Sequence, residues 1–233
     1  MQINAHTSCI IPFYNEGYRI FQVLEVVTQI KSISQIICID DGSTDNTADL
    51  IAENWPSVEL IRLPFNQGKA AAIRHGVAQA NHENILLMDA DLQSIDQAEV
   101  EKAIEAIAQH NLDMIILRRI NAPWFVKFDR GDTLLSGERI IKKKDLVHVL
   151  KQEVSRYQIE LAINLYMQKH KRNVRWMPWS ATNTYKAAKM GLVEGYKHEF
   201  KMFTDIVLYA GFTNIVKQIT LFATKELKEL EVK

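Results

Sequence analysis

Cysteine is nearly absent from this chain, proline is sparse, and neither sign of charge is in excess. The two cysteines, Cys9 and Cys38, each lie inside an apolar run, so buried free thiols are expected and a disulfide framework or cysteine metal site is not. Lys plus Arg and Asp plus Glu both number 28, which leaves no global field to draw nucleic acid as a partner. The one basic stretch, Lys169 to Arg175, reads as the solvated end of a helix. No apolar run approaches the ~20 residues of a membrane-crossing helix. Met1 to Ser8 lacks the basic-then-apolar order of a secretion signal. The expectation is a cytoplasmic protein, with at most peripheral contact at the inner membrane face. The seven histidines show no ligand spacing. A phosphate loop is also missing: Asn66-Gln67-Gly68-Lys69 follows Leu63 where that motif needs glycine, and precedes Ala70 where it needs Ser or Thr.

What is present is a folded chain's composition, with 47% apolar residues over 233 positions, enough for one full core. The first half alternates strand and helix. Apolar runs at Ser8–Pro12, Gln35–Ile39, Val58–Leu63, Ile85–Met88 and Met114–Leu117 predict strands. Between them, helical spacing covers Glu16–Ile30, a segment through Ala48, Ile51 and Trp55, then Gly68–Ala80 and Asp96–His110. Such β-α repetition predicts an α/β protein with a mainly parallel central sheet covered on both faces. The second half is less regular. Asn121–Arg130 reads as a loop, Gln152–Gln168 as a buried helix and Val174–Pro178 as a strand. Ala181–Met190 and Glu194–Ala210 read as helices, and Gln218–Val232 as an amphipathic helix through Leu221, Phe222, Leu227 and Leu230. With no linker or repeat, one domain over residues 1–233 is expected. Residues 1–119 form its regular half and residues 120–233 its irregular one.

Two acidic clusters follow apolar runs directly: Asp40-Asp41-Gly42-Ser43-Thr44-Asp45 and Asp89-Ala90-Asp91-Leu92-Gln93. Both belong at the C-terminal ends of strands, along the edge where open α/β sheets bind ligands. Capping of the next helix accounts for Ser43, Thr44 or Asp45 but not for two carboxylates upstream. Asp41 can accept N–H donors from a nucleobase edge, a discriminating contact because a lost partner stays unsatisfied. If Asp89–Asp91 is extended, Asp89 and Asp91 share a face with Ala90 turned away, and Gln93 continues the alternation. Two carboxylates and an amide oxygen suit Mg²⁺ or Mn²⁺, which would neutralise a departing diphosphate. Tyr14, in Pro12-Phe13-Tyr14-Asn15-Glu16, can offer a ring face to a base, and Lys69 can approach a nucleotide at a helix N-terminus.

Arg118 and Arg119 end a strand on the same edge, and Arg130 and Arg139 flank Gly131–Glu138; each can clamp a diphosphate or form a surface ion pair. Asp132, Glu138 and Glu160 are the general-base candidates, with structural pairing to arginine as the alternative for each. Glu160 stands among Tyr157, Ile159, Leu161, Ala162 and Ile163, where burial raises a carboxyl's pKa.

Taken in order and spacing from about Ser8 to Arg119, these motifs resemble the family-2 glycosyltransferases of the GT-A fold, nearest the dolichyl-phosphate mannose synthase branch. Ser136-Gly137-Glu138-Arg139 is similar to a later Ser-Gly-x-Arg element of that family. The resemblance implies a Rossmann-like three-layer sandwich, with residues 1–119 binding the nucleotide sugar and metal and residues 120–233 forming the acceptor side. It places Pro12, Tyr14, Glu16 and Asp41 around the nucleoside, Asp89, Asp91 and Gln93 at the ion and diphosphate, and Arg119 and Arg139 near donor phosphates. Lipid-linked members often carry C-terminal membrane helices, and these 233 residues contain none. The expected activity is metal-dependent transfer of a sugar from a nucleoside diphosphate to a saccharide or polyprenyl phosphate, with inversion. The alternatives are a non-catalytic nucleotide-sugar-binding module and a sugar-nucleotide nucleotidyltransferase. The latter usually has a glycine-rich turn after the first strand, where this chain has Pro12-Phe13-Tyr14-Asn15-Glu16.

Overall fold

A computed structural model of the chain describes residues 6–121, 131–152, 158–183 and 209–227. The elements run β1 (Thr7–Phe13), α1 (Arg19–Val27), β2 (Ile33–Asp40), α2 (Thr47–Asn54), β3 (Glu59–Arg62), α3 (Lys69–Gln79) and β4 (Asn84–Leu87). They continue with β5 (Leu92–Gln93), α4 (Gln97–Gln109), β6 (Met114–Arg119), α5 (Gly131–Leu134), β7 (Arg139–Lys142) and α6 (Lys143–Leu150). The last are α7 (Gln158–Lys169), β8 (Val174–Trp179), β9 (Thr182–Asn183) and α8 (Phe212–Leu221).

Seven strands form one sheet in the order β3-β2-β1-β4-β7-β6-β8, and only β7 runs antiparallel to its neighbours. Period-two alternation divides the strand residues between two apolar layers. Cys9, Ile11, Cys38, Leu86, Ile115 and Met177 pack beneath α1, α2 and α4. Ile10, Ile37, Ile39, Ile85, Met114 and Ile116 pack beneath α3, α6 and α7. The result is the expected α/β three-layer sandwich. Both cysteines are free thiols in the first layer, and burial pushes each well above its ordinary pKa.

The second half departs from the sequence expectation in three places. Strand β7 and helix α6, over Arg139–Leu150, fall where the sequence assigns no element; β7 is paired on both sides and buried, so it carries little alternation. Thr182–Asn183 is a strand pairing with Leu92–Gln93, not the start of a helix. Helix α8 ends at Leu221, and Leu227 instead donates its N–H to the Trp176 carbonyl beside β8. The loop expected over Asn121–Arg130, the helices expected over residues 184–208 and Leu230 lie outside the described residues.

What positions the site is the contact between three turns at one end of β1, β2 and β3. Asn15 Oδ1 accepts the Thr44 N–H at 2.8 Å, and the Asn15 N–H donates to Ser43 Oγ at 3.0 Å. Thr47 Oγ1 accepts the Gly17 N–H at 2.9 Å, and Asp40 Oδ1 accepts the Ser43 N–H at 2.8 Å. Gly42 has φ +75°, and a Cβ there would lie 2.5 Å from the Phe65 carbonyl carbon. Backbone packs directly on backbone at that point. Gly42→Ala should therefore destabilise the fold by about 2–4 kcal/mol, from left-handed strain plus overpacking. The midpoint of a urea melt reads this; a loss under about 0.5 kcal/mol, the ordinary surface range, would refute the contact.

Candidate active site

Asp41 is 4% exposed at the end of β2, and each of its carboxylate oxygens accepts a backbone hydrogen bond. Oδ1 accepts the Gln67 N–H and Oδ2 the Gly68 N–H, both at 2.8 Å. The sequence suggested a base edge for this carboxylate; the structure gives it the loop before α3. The next residue, Lys69, carries that loop to the second acidic cluster, its Nζ lying 2.7 Å from Asp89 Oδ1 and 2.7 Å from Glu160 Oε1. The two acidic strand ends thus hold opposite ends of one short segment.

Asp89 stands just beyond β4, a quarter exposed. Ala90 and Asp91 form a turn, so the expected extended alternation does not hold across this triplet. Gln93 is exposed on β5. Against the other side of Asp89 lies Gly137, where a Cβ would come within 2.6 Å of Asp89 Oδ2. No side chain larger than hydrogen fits at 137 while Asp89 keeps its place.

Glu138 follows, 1% exposed. Ser136 Oγ–H lies between Glu138 Oε2 at 2.9 Å and the Leu117 carbonyl at 2.8 Å. Burial and then the Asp89 charge push the Glu138 carboxyl up to about 7, against the pull of Arg119 and Lys69. Its buried Oε1 has no hydrogen-bond partner. Burial opposes the charge on Asp89, yet Lys69 and Arg119 outweigh it and hold that carboxyl below its ordinary value. Burial likewise opposes the charge on Lys69, and Asp89 and Glu160 reverse the effect, raising its pKa.

The remaining expected residues fall into two groups. Arg119, at the end of β6, acts electrostatically on Asp89 and Glu138 and so belongs with the cluster. Tyr14 is 43% exposed at the rim, Pro12 is half-buried in β1, and Glu16 pairs with Arg19 at 2.7 Å. Asp132 and Arg139 are buried behind the cluster, Arg139 still within electrostatic reach of Glu160, Glu138 and Asp89. Asp132 is wholly buried and pairs with Arg118 at 2.6 Å, whose guanidinium sits 4.7 Å from the centre of the Trp176 ring. Arg139 is also wholly buried, donating to the Ser136 carbonyl and to Asn164 Oδ1 at 3.0 Å. Asn164 in turn donates to the Leu134 carbonyl at 2.9 Å. Arg139 thus braces residues 134–139 against α7 and does not face an open site. Arg130 lies outside the described residues. Sequence reasoning missed Gly137 and Asn164; the Ser-Gly-x-Arg pattern pointed to the segment but not to the glycine's reason.

Among the described residues, no three Asp, Glu, His or Cys side chains group as a metal site. Asp89 and Asp91 on one turn nonetheless offer hard oxygen donors, which fit Mg²⁺ or Mn²⁺ if other oxygens complete the shell.

A mainly parallel sheet with this acidic edge is the GT-A form of α/β fold. Glucosyl-3-phosphoglycerate synthase from Mycobacterium tuberculosis, solved with Mn²⁺, uridine-diphosphate-glucose and phosphoglyceric acid, matches with a TM-score of 0.68 at 15% identity. That match covers 87% of this chain and 79% of the other. The same enzyme solved with Mg²⁺ and uridine diphosphate gives 0.66 at 14% identity, over 85% of this chain and 78% of that one. At such identity the likeness is one of fold. Residues 8–198 match Glycosyl transferase family 2, and the chain belongs to that family. A dolichyl-phosphate beta-glucosyltransferase of Trichomonas vaginalis is 34% identical over 127 residues, 48% of this chain and 38% of the relative. An undecaprenyl-phosphate 4-deoxy-4-formamido-L-arabinose transferase of Proteus mirabilis is 34% identical over 130 residues, 52% of this chain and 39% of the relative. The matched region is thus about two fifths of those relatives' own length.

The Glu138 carboxyl makes stability pH-dependent with a definite sign. Its folded pKa, about 7, lies above its ordinary 4.5, so its contribution is complete below 4.5 and lost as pH rises through 7. Asp89 runs the other way, its contribution lost only in acid below its ordinary 3.8. Glu138→Gln should therefore gain stability relative to the wild type between about pH 5 and about pH 8, measured by urea melts at both. A constant difference would mean that Glu138 is ionised throughout.

Proposed function

We propose that the chain is the transferase module of a metal-dependent glycosyltransferase, moving a sugar from a nucleoside diphosphate to a polyprenyl phosphate or a saccharide. The single observation that carries this reading is the segment 67–69, gripped by Asp41 at one end and by Asp89 at the other. It makes one crevice of the two acidic strand ends. The nucleoside would lie over Tyr14 and the turn after β1, with Pro12 and Glu16 beside it and Asp41 securing the wall. The diphosphate would lie toward Lys69, Arg119 and the turn at 89–91. Asp89 and Asp91, with Gln93 nearby, would hold Mg²⁺ or Mn²⁺, which supplies charge neutralisation for the leaving diphosphate.

In the step proposed, an acceptor oxygen forms a bond to the anomeric carbon from the face opposite the diphosphate. The bond from that carbon to the diphosphate oxygen breaks, its electron pair leaves with the nucleoside diphosphate, and the configuration inverts. An alcohol acceptor must also lose a proton to a base. The three base candidates are all engaged: Asp132 with Arg118, Glu160 with Lys69, and Glu138 buried beneath the Ser136 hydroxyl. A phosphate acceptor arrives ionised and needs no base, so a polyprenyl phosphate is the acceptor this geometry favours. Two relatives named for dolichyl- and undecaprenyl-phosphate transfer support the same choice. Among the described residues no helix is long and apolar enough to cross a membrane.

A melting-temperature screen of nucleoside diphosphates and their sugars, with and without Mn²⁺, tests the reading. At least one should raise the midpoint in a metal-dependent way. Asp91→Ala should fold normally yet lower transfer to short-chain polyprenyl phosphate at least about a hundredfold, as loss of ion-borne charge stabilisation requires. Turnover close to wild type in metal-replete buffer would remove Asp91 from the site.

A further inference from the structure

An ammonium already stands where the acidic turn would receive a divalent ion. Lys69 Nζ is 2.7 Å from Asp89 Oδ1, and the same nitrogen is 2.7 Å from Glu160 Oε1. Arg119 contributes a second positive charge to Asp89 and Glu138. Lys69 and Arg119 thus both act on Asp89, with the Arg139 guanidinium buried behind, and a bare Mg²⁺ or Mn²⁺ meets a carboxylate whose Oδ1 is already taken by an ammonium. Two cations at one oxygen repel, and at partly buried positions that repulsion is worth several-fold more than in water. A diphosphate changes both terms. Its oxygens complete the ion's shell, and its negative charge gives a displaced ammonium a new partner.

Resting on the donor reading above, we propose that Lys69 is a resident, displaceable counter-ion of Asp89 that excludes the divalent ion until a nucleoside diphosphate arrives. Its four-carbon stem is flexible and its side chain is 29% exposed, so the ammonium can leave Asp89 while Glu160, on α7, keeps it in the crevice. Glu160 is then a positioning residue, the second station of the lysine. The Arg139–Asn164 brace holds α7 against the segment that carries Gly137 and Glu138, so both partners of the lysine are fixed by one scaffold. Ion and nucleotide must strengthen each other's binding, because each removes an obstacle to the other, and that coupling is reciprocal.

The test measures Mn²⁺ binding to the full chain without substrate, by loss of the free-ion electron paramagnetic resonance signal. Wild type, Lys69→Met and Lys69→Arg are compared, each shown folded by its melting curve. Lys69→Met should bind Mn²⁺ about tenfold or more tighter than wild type in the absence of nucleotide. Lys69→Arg, which keeps the charge, should stay weak. Adding uridine diphosphate should strengthen Mn²⁺ binding in wild type and do so less in Lys69→Met. Equal Mn²⁺ affinities in wild type and Lys69→Met without nucleotide would overturn the proposal. Should Lys69→Met not fold, wild-type crystal structures with and without Mn²⁺ and uridine diphosphate decide. Loss of the Lys69–Asp89 contact on loading supports displacement; its persistence beside a bound ion ends it. Tighter Mn²⁺ binding by Lys69→Met, with no nucleoside diphosphate bound by any variant, would leave the counter-ion role standing while the donor reading fell. Metal-dependent nucleotide binding with unchanged Mn²⁺ affinity in Lys69→Met would do the reverse.

Discussion

The ion pairs of Lys69 with Asp89 and Glu160 join three parts of the chain that are far apart in sequence. Asp89 is at the end of a central strand, Lys69 opens the helix on one face of the sheet, and Glu160 belongs to a helix contributed by the second half of the chain. Three ionisable groups in a partly buried position are tolerable only because each supplies what the others lack. Removing the ammonium leaves two carboxylates without the cation they share. The Asp41 carboxylate serves the same end from a distance, fastening the Gln67 and Gly68 amides so that Lys69 starts from a fixed point.

Close approach of backbone is the second constraint. At Gly42 the turn after β2 lies on the backbone of Phe65, and at Gly137 the second half of the chain meets the Asp89 carboxylate with no room for a methyl group. Both contacts are made by the absence of a side chain, and each brings a carboxylate-bearing turn against a loop from elsewhere in the sequence. The donor edge is thus pressed together from two sides, and Glu138 is buried as a consequence. Its raised pKa follows from that burial and from the Asp89 charge beside it. A general base must reach the acceptor's proton, and Glu138 is buried while Asp132 and Glu160 are held in ion pairs. That engagement moves the proposed acceptor from an alcohol toward a phosphate.

Much of this was legible beforehand, and the reasons are local. Buried parallel strands announce themselves as short apolar runs, and the helices between them as apolar residues three and four apart, so the β-α frame through Arg119 could be read directly. The acidic clusters were legible for the same reason: carboxylates directly after a buried strand must emerge at its end. Strand β7 was not, because a short strand hydrogen-bonded on both sides needs no alternation, and its four residues, Arg139-Ile140-Ile141-Lys142, look like any short apolar step. Nor was Arg139, since a wholly buried guanidinium and a phosphate clamp are the same letter in the sequence.

By itself, then, the order of residues determined the layers, the strand edge that carries the acidic groups and the family to which those motifs belong. Each depends on neighbours a few positions apart, where periodicity and the end of a strand decide which way a side chain faces. Only the tertiary structure decided the partners: that Asp41 takes loop amides, that Asp132 is neutralised by Arg118, that Asp89 shares its surroundings with Lys69, Glu138 and Gly137. Partnership between charges depends on distance in space and on how much water remains around them, and neither is written in spacing along the chain.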